Sequence, residues 1–282
     1  MAYKSVFTVI TSPAQAEASI AACAVLCDAQ GAHLEVLALG VDRLQVGYSY
    51  VGAEGALLEA TMAQATEEAR LAEAAARAAL AEPAPGLRWS LESAVVQTGM
   101  ITDLVASHAR FADLVVLGRP YEPAAKTEAD VVLEAVLFQA RTPVLVVPTD
   151  RKAAVLPPRR IVLAWDQSPE ALVAARAALP FLQAADQVVI TIVDPGVRGS
   201  ERSDPGGLLC QMLVRHGVKA EVSVLAKTLP RVADVLARQV MDVNADMLVM
   251  GAYGHSRLRE AILGGATRDT LQASVVPVFM AH

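Results

Sequence analysis

The chain repeats itself. Ala112-Asp113-Leu114-Val115-Val116-Leu117-Gly118 is answered by Ala245-Asp246-Met247-Leu248-Val249-Met250-Gly251, Ser12-Pro13 by Ser168-Pro169, and Thr142-Pro143-Val144 by Val276-Pro277-Val278. Such self-similarity confines the chain to folds in which one unit is built twice. Within each copy, short Val- and Ile-rich runs alternate with amphipathic segments, the pattern of parallel strands joined by crossover helices. The second copy predicts strands at 161–165, 187–193, 220–225, 246–250 and 276–280, and helices at 170–181, 208–216, 232–240 and 267–273. The first predicts strands at 6–10, 34–38, 87–95, 113–118 and 143–147, with helices at 14–30, 57–81, 102–109 and 131–140. The expected fold class is α/β: two tandem doubly wound domains, each a five-stranded, mostly parallel sheet with helices on both faces.

Between the copies, Thr149-Asp150-Arg151-Lys152-Ala153-Ala154-Val155-Leu156-Pro157-Pro158 loses periodicity and ends in a diproline. Domains are therefore expected at 1–149 and 159–282, with 150–158 as linker. The 282 residues are 54% hydrophobic and 19% charged, enough for two cores of about 140 residues each. A net charge of −6 and only 4% aromatic residues leave neither a basic stripe nor stacking platforms, so nucleic acid is not an expected partner. No run of roughly 18 apolar residues occurs and the N-terminus lacks a signal-peptide pattern, which predicts a cytoplasmic protein without membrane insertion. Cys23, Cys27 and Cys210 are an odd set without an accompanying His or carboxylate cluster, so buried reduced thiols are expected and no metal site.

The chemistry-bearing stretch is Val249-Met250-Gly251-Ala252-Tyr253-Gly254-His255-Ser256-Arg257 through Leu263-Gly264-Gly265-Ala266-Thr267. A strand ends in a glycine-bearing loop, and a second glycine pair opens a helix. Glycines let main-chain amides approach an anion, and helix N-terminal amides point the same way. Glycine spacing alone has a purely steric reading as well. Gly251, Gly254, Gly264 and the small residue after it resemble the ATP-binding signature of the universal stress protein family. That family also carries an aspartate at the end of its first strand, and Ile161-Val162-Leu163-Ala164-Trp165-Asp166 supplies one.

The resemblance covers the second half and, more weakly, the first, so the chain is similar to a tandem member. It implies a fold like that of the adenine nucleotide alpha-hydrolases and an ATP site, with or without Mg, formed by Asp166, Ile192, Val193, Met250, Gly251, Gly254, Arg257, Gly264, Gly265, Ala266 and Thr267. Where the family usually has Ser or Thr, this chain has Gly265, which keeps an amide and loses a hydroxyl, an affinity loss of several-fold at about 1 kcal/mol per neutral hydrogen bond. In the first half Gly118 is kept, Tyr121 stands at the second glycine, Asp130-Val131 fall near Gly264-Gly265, and Ile10 falls opposite Asp166. A carboxylate where phosphate would sit predicts a first domain without the usual nucleotide site.

Duller readings stand beside these. Asp166 can cap the helix begun by Ser168-Pro169-Glu170, Ile192 or Val193 can be plain core, Arg257 and Arg259 can be surface charges beside Glu260, and Thr267 can cap its helix. His255 has no partner carboxylate or nucleophile and is not taken as a base. No catalytic set is visible, so the resemblance implies an ATP-binding stress-response or regulatory protein, with slow ATP hydrolysis at most. The alternatives are a ligand-free interaction scaffold and an ATP-hydrolysing or adenylyl-transferring enzyme. Unidentified protein partners are expected. The family's pairing through its last strand implies an intramolecular pseudo-dimer here, through 143–147 and 277–280, with a further homodimer open.

Overall fold

A computed structural model describes residues 3–44, 54–81, 86–121, 125–126, 128–148, 156–195, 204–252 and 265–282. Its contacts divide the chain between Thr142 and Pro143 into two units. The aperiodic residues 149–155 lie outside the described residues.

The N-terminal unit runs β1 (Ser5–Ile10), α1 (Pro13–Gln30), β2 (His33–Asp42), α2 (Glu54–Ala81), β3 (Arg88–Gln97), α3 (Ile101–Ala109), β4 (Leu114–Gly118) and α4 (Ala129–Glu134), the last widening into a π turn over Ala135–Ala140. Its strands lie in the order β3-β2-β1-β4, and the pairs β1–β2, β1–β4 and β2–β3 are parallel. The C-terminal unit runs β5 (Val144–Val147), β6 (Arg160–Ala164), α5 (Pro169–Ala177), α6 (Leu179–Ala184), β7 (Gln187–Val193), α7 (Gly207–Arg215), β8 (Ala220–Leu225), α8 (Val232–Asp242), β9 (Met247–Gly251), α9 (Ala266–Ala273) and β10 (Val278–Ala281). Here the order is β5-β10-β9-β6-β7-β8, with β5 alone antiparallel. The α/β class with parallel sheets and covering helices is as the alternating pattern predicts.

Two details go beyond that pattern. β5 closes the first sequence copy yet pairs with β10, Leu145 opposite Phe279, both fully buried. A short apolar strand is stabilised by covering another edge strand with complementary hydrogen bonds. The helix expected over 170–181 divides at Ala178, because Pro180 has no amide to donate and its ring would clash with the preceding turn.

The inner strands are buried on both faces, while the edge strands β3 and β8 are largely exposed. Phe7, Leu34, Leu37, Leu114, Val162, Leu163, Ile190, Met247 and Val249 are all fully buried, as expected of parallel strands covered by helices. The duplication extends to hydrogen bonding. Asp113 Oδ2 accepts from the amides of Lys4 and Ser5 at 2.7 and 3.0 Å, and Asp246 Oδ2 accepts from those of Arg159 and Arg160 at 2.8 and 2.9 Å. Each aspartate, just ahead of its strand, thereby fixes where the neighbouring first strand begins. Cys23 and Cys27 are buried on α1, and burial raises both thiols, Cys27 to about 11. They are inert structural thiols on that account. Among the described residues no group of His, Cys, Asp and Glu has the arrangement to hold a metal, and no helix is long and apolar enough to cross a membrane.

The 28-residue α2 packs on β2 through Ala65, Ala69, Ala72 and Ala76, a stripe of small side chains at helical spacing, all buried. Gly40 completes the fit: a methyl there would overlap the Ala65 carbonyl oxygen and come within 2.9 Å of Ala69 Cβ. Gly40→Ala should therefore destabilise the protein by about 1–3 kcal/mol or more. Gly99→Ala, where a methyl meets nothing within 4 Å, is the matched control and should leave the thermal midpoint unchanged.

Candidate functional site

Parallel strands end on the same side of a sheet, and the chain must turn there to enter the next helix. In the C-terminal unit β6 pairs with β9, Leu163 opposite Val249, so the residues following both strands emerge together. After β6, the Trp165 amide donates to the Thr191 carbonyl at 2.9 Å, which ties the exit to β7. Asp166 Oδ1 accepts from the Ser168 amide at 3.0 Å across Gln167, whose φ of 65° is left-handed. This local carboxylate–amide bond supports a backbone conformation uncommon for a residue with a side chain. The N-cap of α5 is Ser168, whose Oγ accepts from Ala171 N at 3.1 Å, followed by Pro169 in the first turn. Helix capping therefore falls to Ser168, and the exposed Asp166 faces the crevice instead.

That crevice lies at the strand ends. Ala164, Trp165 and Asp166 contribute one wall, Thr191 and Val193 the β7 side, Met250 and Gly251 the end of β9, Val232 and Leu236 the start of α8, and Ala266 and Thr270 the first turns of α9. Asp166, Val193, Met250, Gly251 and Ala266 are thus brought together from four separate stretches of sequence. Ile192 is not with them. Strand alternation turns it to the other face, where its Cδ1 lies 2.9 Å from the position of a methyl on Gly206. Gly265 is the N-cap residue of α9, and Thr267, one residue inside the helix, is buried without lining the crevice. Gly254, His255, Arg257 and Gly264 lie outside the described residues.

Trp165, Thr191, Val232, Leu236 and Thr270 line the crevice although the sequence reading passed over them. Thr191 was accessible in principle, because it alternates with Val193 along one strand face. Trp165 adjoins the aspartate. Val232, Leu236 and Thr270 carry no local signal, since which helix face meets the strand ends is decided by packing.

Gly251 has a steric role that does not involve a ligand. A methyl there would stand 2.5 Å from the Ala171 amide nitrogen and 2.8 Å from the Glu170 carbonyl carbon. The end of β9 therefore abuts the first turn of α5 backbone to backbone. Gly265, by contrast, has ordinary extended angles, φ −69° and ψ 148°, and offers no side chain to cap the α9 amides. Those amides and the helix dipole make that end suited to an anion. The walls are mainly apolar with a few polar groups, a chemistry that suits a flat heterocycle carrying hydrogen-bonding edges. Trp165 Nε1 and Thr270 Oγ1 are buried and have no hydrogen-bond partner among the described residues.

The corresponding quarter of the N-terminal unit is chemically different. Ile10, at the position of Asp166, is buried. A methyl on Gly118 would meet the Gln15 side chain at 2.8 Å, and Gln15 Nε2 donates to the Arg119 carbonyl at 2.9 Å. Beyond β2, Arg43 pairs with Glu128 just ahead of α4 and makes two hydrogen bonds to Glu68 of α2, at 2.9 and 3.2 Å. Lys126 joins Glu68 at 2.7 Å. Protein charges satisfy one another there.

Residues 158–282 match the model of the universal stress protein family. The universal stress protein Slr1230 of Synechocystis is 25% identical over 189 residues, which cover 64% of this chain and 62% of that relative, less than two thirds of its length. Among solved structures, a universal stress protein from Archaeoglobus fulgidus is similar over 99% of this chain and 96% of its own, with a TM-score of 0.67 at 17% identity. A protein of unknown function from Pseudomonas aeruginosa is similar over 99% of this chain and 92% of its own, with a TM-score of 0.57 at 15% identity. At such identities the two structures speak for the fold.

The ion-pair cluster has a pH signature. Burial pushes the Glu68 carboxyl up, but hydrogen bonds and charge from Arg43 and Lys126 outweigh it and hold the group down from 4.5 to about 2. A depressed carboxylate contributes stability that is complete above its unfolded value and is lost as pH falls from 4.5 toward 2. Glu68→Gln should lower the melting temperature at neutral pH, and the gap from wild type should close through that window in a pH series of thermal melts.

Proposed function

We propose that this chain, whose residues 158–282 belong to the universal stress protein family, binds an adenine nucleotide, ATP foremost, in the crevice of its C-terminal unit. It acts as a nucleotide-responsive regulatory protein of the stress response, not as a dedicated enzyme. The observation that carries this reading is the convergence of Asp166, Val193, Met250, Gly251 and Ala266 on one crevice at the ends of parallel strands. Asp166 presents a carboxylate at the rim to ligand hydroxyl or amino groups, Val193 and Met250 provide apolar surface for the base, and the α9 amides beside Gly265 face the phosphates. The N-terminal unit is read as a structural or partner-binding copy, because the Arg43, Glu68, Glu128 and Lys126 side chains there neutralise one another.

A ligand-free interaction scaffold is the second reading. It is favoured by Gly251, whose lack of a side chain is fully accounted for by its approach to α5.

Calorimetry with ATP separates the two. Micromolar binding at about one site per chain is expected, weakened at least tenfold in Asp166→Ala, on the scale of a hydrogen bond to a charged group. Gly265→Asp is the sharper variant. Its backbone angles accept any residue and Asp is a good N-cap, so the fold should be as stable as wild type or more so, while the carboxylate repels phosphate. Loss of ATP binding with an undiminished melting temperature supports the nucleotide reading. Absence of binding to folded wild-type protein leaves the scaffold.

A further inference from the structure

Two residues that line the crevice carry a buried polar atom without a partner among the described residues, and one of them, Thr270, also borders a small cavity between α8 and α9. Trp165 is 8% exposed and Thr270 2%, yet Trp165 Nε1 and Thr270 Oγ1 find no hydrogen-bond partner among the described residues. Leaving such groups buried and unpaired is unfavourable, and native folds rarely do so without a reason. An indole N–H can only donate, whereas a hydroxyl can donate or accept. Of the other side chains with an unpartnered buried atom, Ser19, Asp42, Glu128 and Glu170, none lines this crevice.

Their neighbours say what kind of group would complete them. Ala164, Val193, Leu236 and Met250 give the crevice apolar surface without acceptors. Trp165 adjoins Asp166 and is tied by its backbone to β7, and Thr270 lies one helical turn, about 6 Å, deeper than Ala266 at the α9 N-terminus. Both therefore sit away from the end suited to phosphate and nearer the apolar part suited to a base.

We propose that Trp165 and Thr270 read the base of the bound nucleotide: the Trp165 indole N–H donates to a ring nitrogen of the purine, and the Thr270 hydroxyl bonds to a second polar position on the ring. This inference rests on the nucleotide reading of the crevice and adds two recognition residues outside both the glycine signature and the strand-end aspartate. It makes the site selective for purines with an acceptor facing Trp165.

Trp165→Phe removes the N–H and keeps an aromatic plane, while Thr270→Val removes the hydroxyl with little change of shape. ATP and its 1-deaza, 3-deaza and 7-deaza analogues, each lacking one ring nitrogen, are titrated calorimetrically into wild type and both variants, and ligand-free melts are recorded. Each variant should bind ATP about tenfold more weakly. One deaza analogue should lose a similar factor against wild type and show no further loss against Trp165→Phe, the sign that the deleted atoms are bonded to each other. Without ligand, Thr270→Val should melt at or above the wild-type temperature.

Unchanged ATP affinity in the variants, or deaza penalties that persist in full in Trp165→Phe, would overturn the assignment while leaving nucleotide binding intact. A lower ligand-free melting temperature for Thr270→Val would overturn it too, because the hydroxyl would then be bonded within the fold. Wild-type protein that binds none of the four nucleotides overturns the nucleotide reading itself, and this inference with it.

Discussion

One carboxylate oxygen governs where the central strands of the C-terminal unit begin. Asp246 Oδ2 accepts both amides that lead into β6, and the Asp246 amide donates to the Arg160 carbonyl at 2.8 Å. Because β6 and β9 are parallel, a fixed start on one side of the sheet fixes the exit on the other. Asp166 and Gly251 consequently emerge beside one another, and the crevice follows from that register. Slippage by one residue would exchange the sheet faces of Val162, Leu163, Leu248 and Val249, all buried, so packing reinforces what the carboxylate sets.

The second constraint is closeness. Gly251 brings the end of β9 against the first turn of α5 with no room for a methyl, and Gly40 does the same between β2 and α2. In the C-terminal unit this approach holds the Ser168 cap and the Asp166 turn at the crevice rim. The glycine thus serves the architecture whether or not a phosphate ever touches it, and a nucleotide site is supported by the groups around it rather than by the glycine itself.

Duplication followed by divergence is visible in these same elements. Asp113 repeats the clamp of Asp246 atom for atom, since both positions serve the fold. The rim positions have separated: Ile10 stands for Asp166 and Gln15 for Ala171. Around Arg43 the N-terminal unit has become self-neutralising, and Glu128 is drawn into the interior only because the guanidinium accompanies it. Crevice chemistry differs between the copies while the strand-start clamp does not.

The glycine signature, the strand-end Asp166, the repeated Ala-Asp strands and the alternation of strand and helix were all legible in the chain, because each depends on local sequence: a period, a turn, a residue without a side chain. Ile192 could not be separated from Val193 until the pleat showed which of them faced the crevice. The break at Ala178 likewise awaited the fold, for the consequence of Pro180, whereas the pairing of β5 with β10 is the one that the family resemblance implied. Val232, Leu236 and Thr270 were beyond local reading altogether. Sequence by itself determined that this protein is a duplicated α/β chain and where its glycine-bearing stretch stands. Only the tertiary structure decided which side chains share the crevice and which of them carry a polar atom without a partner among the described residues, because both depend on how helices distant in sequence settle against the ends of the strands.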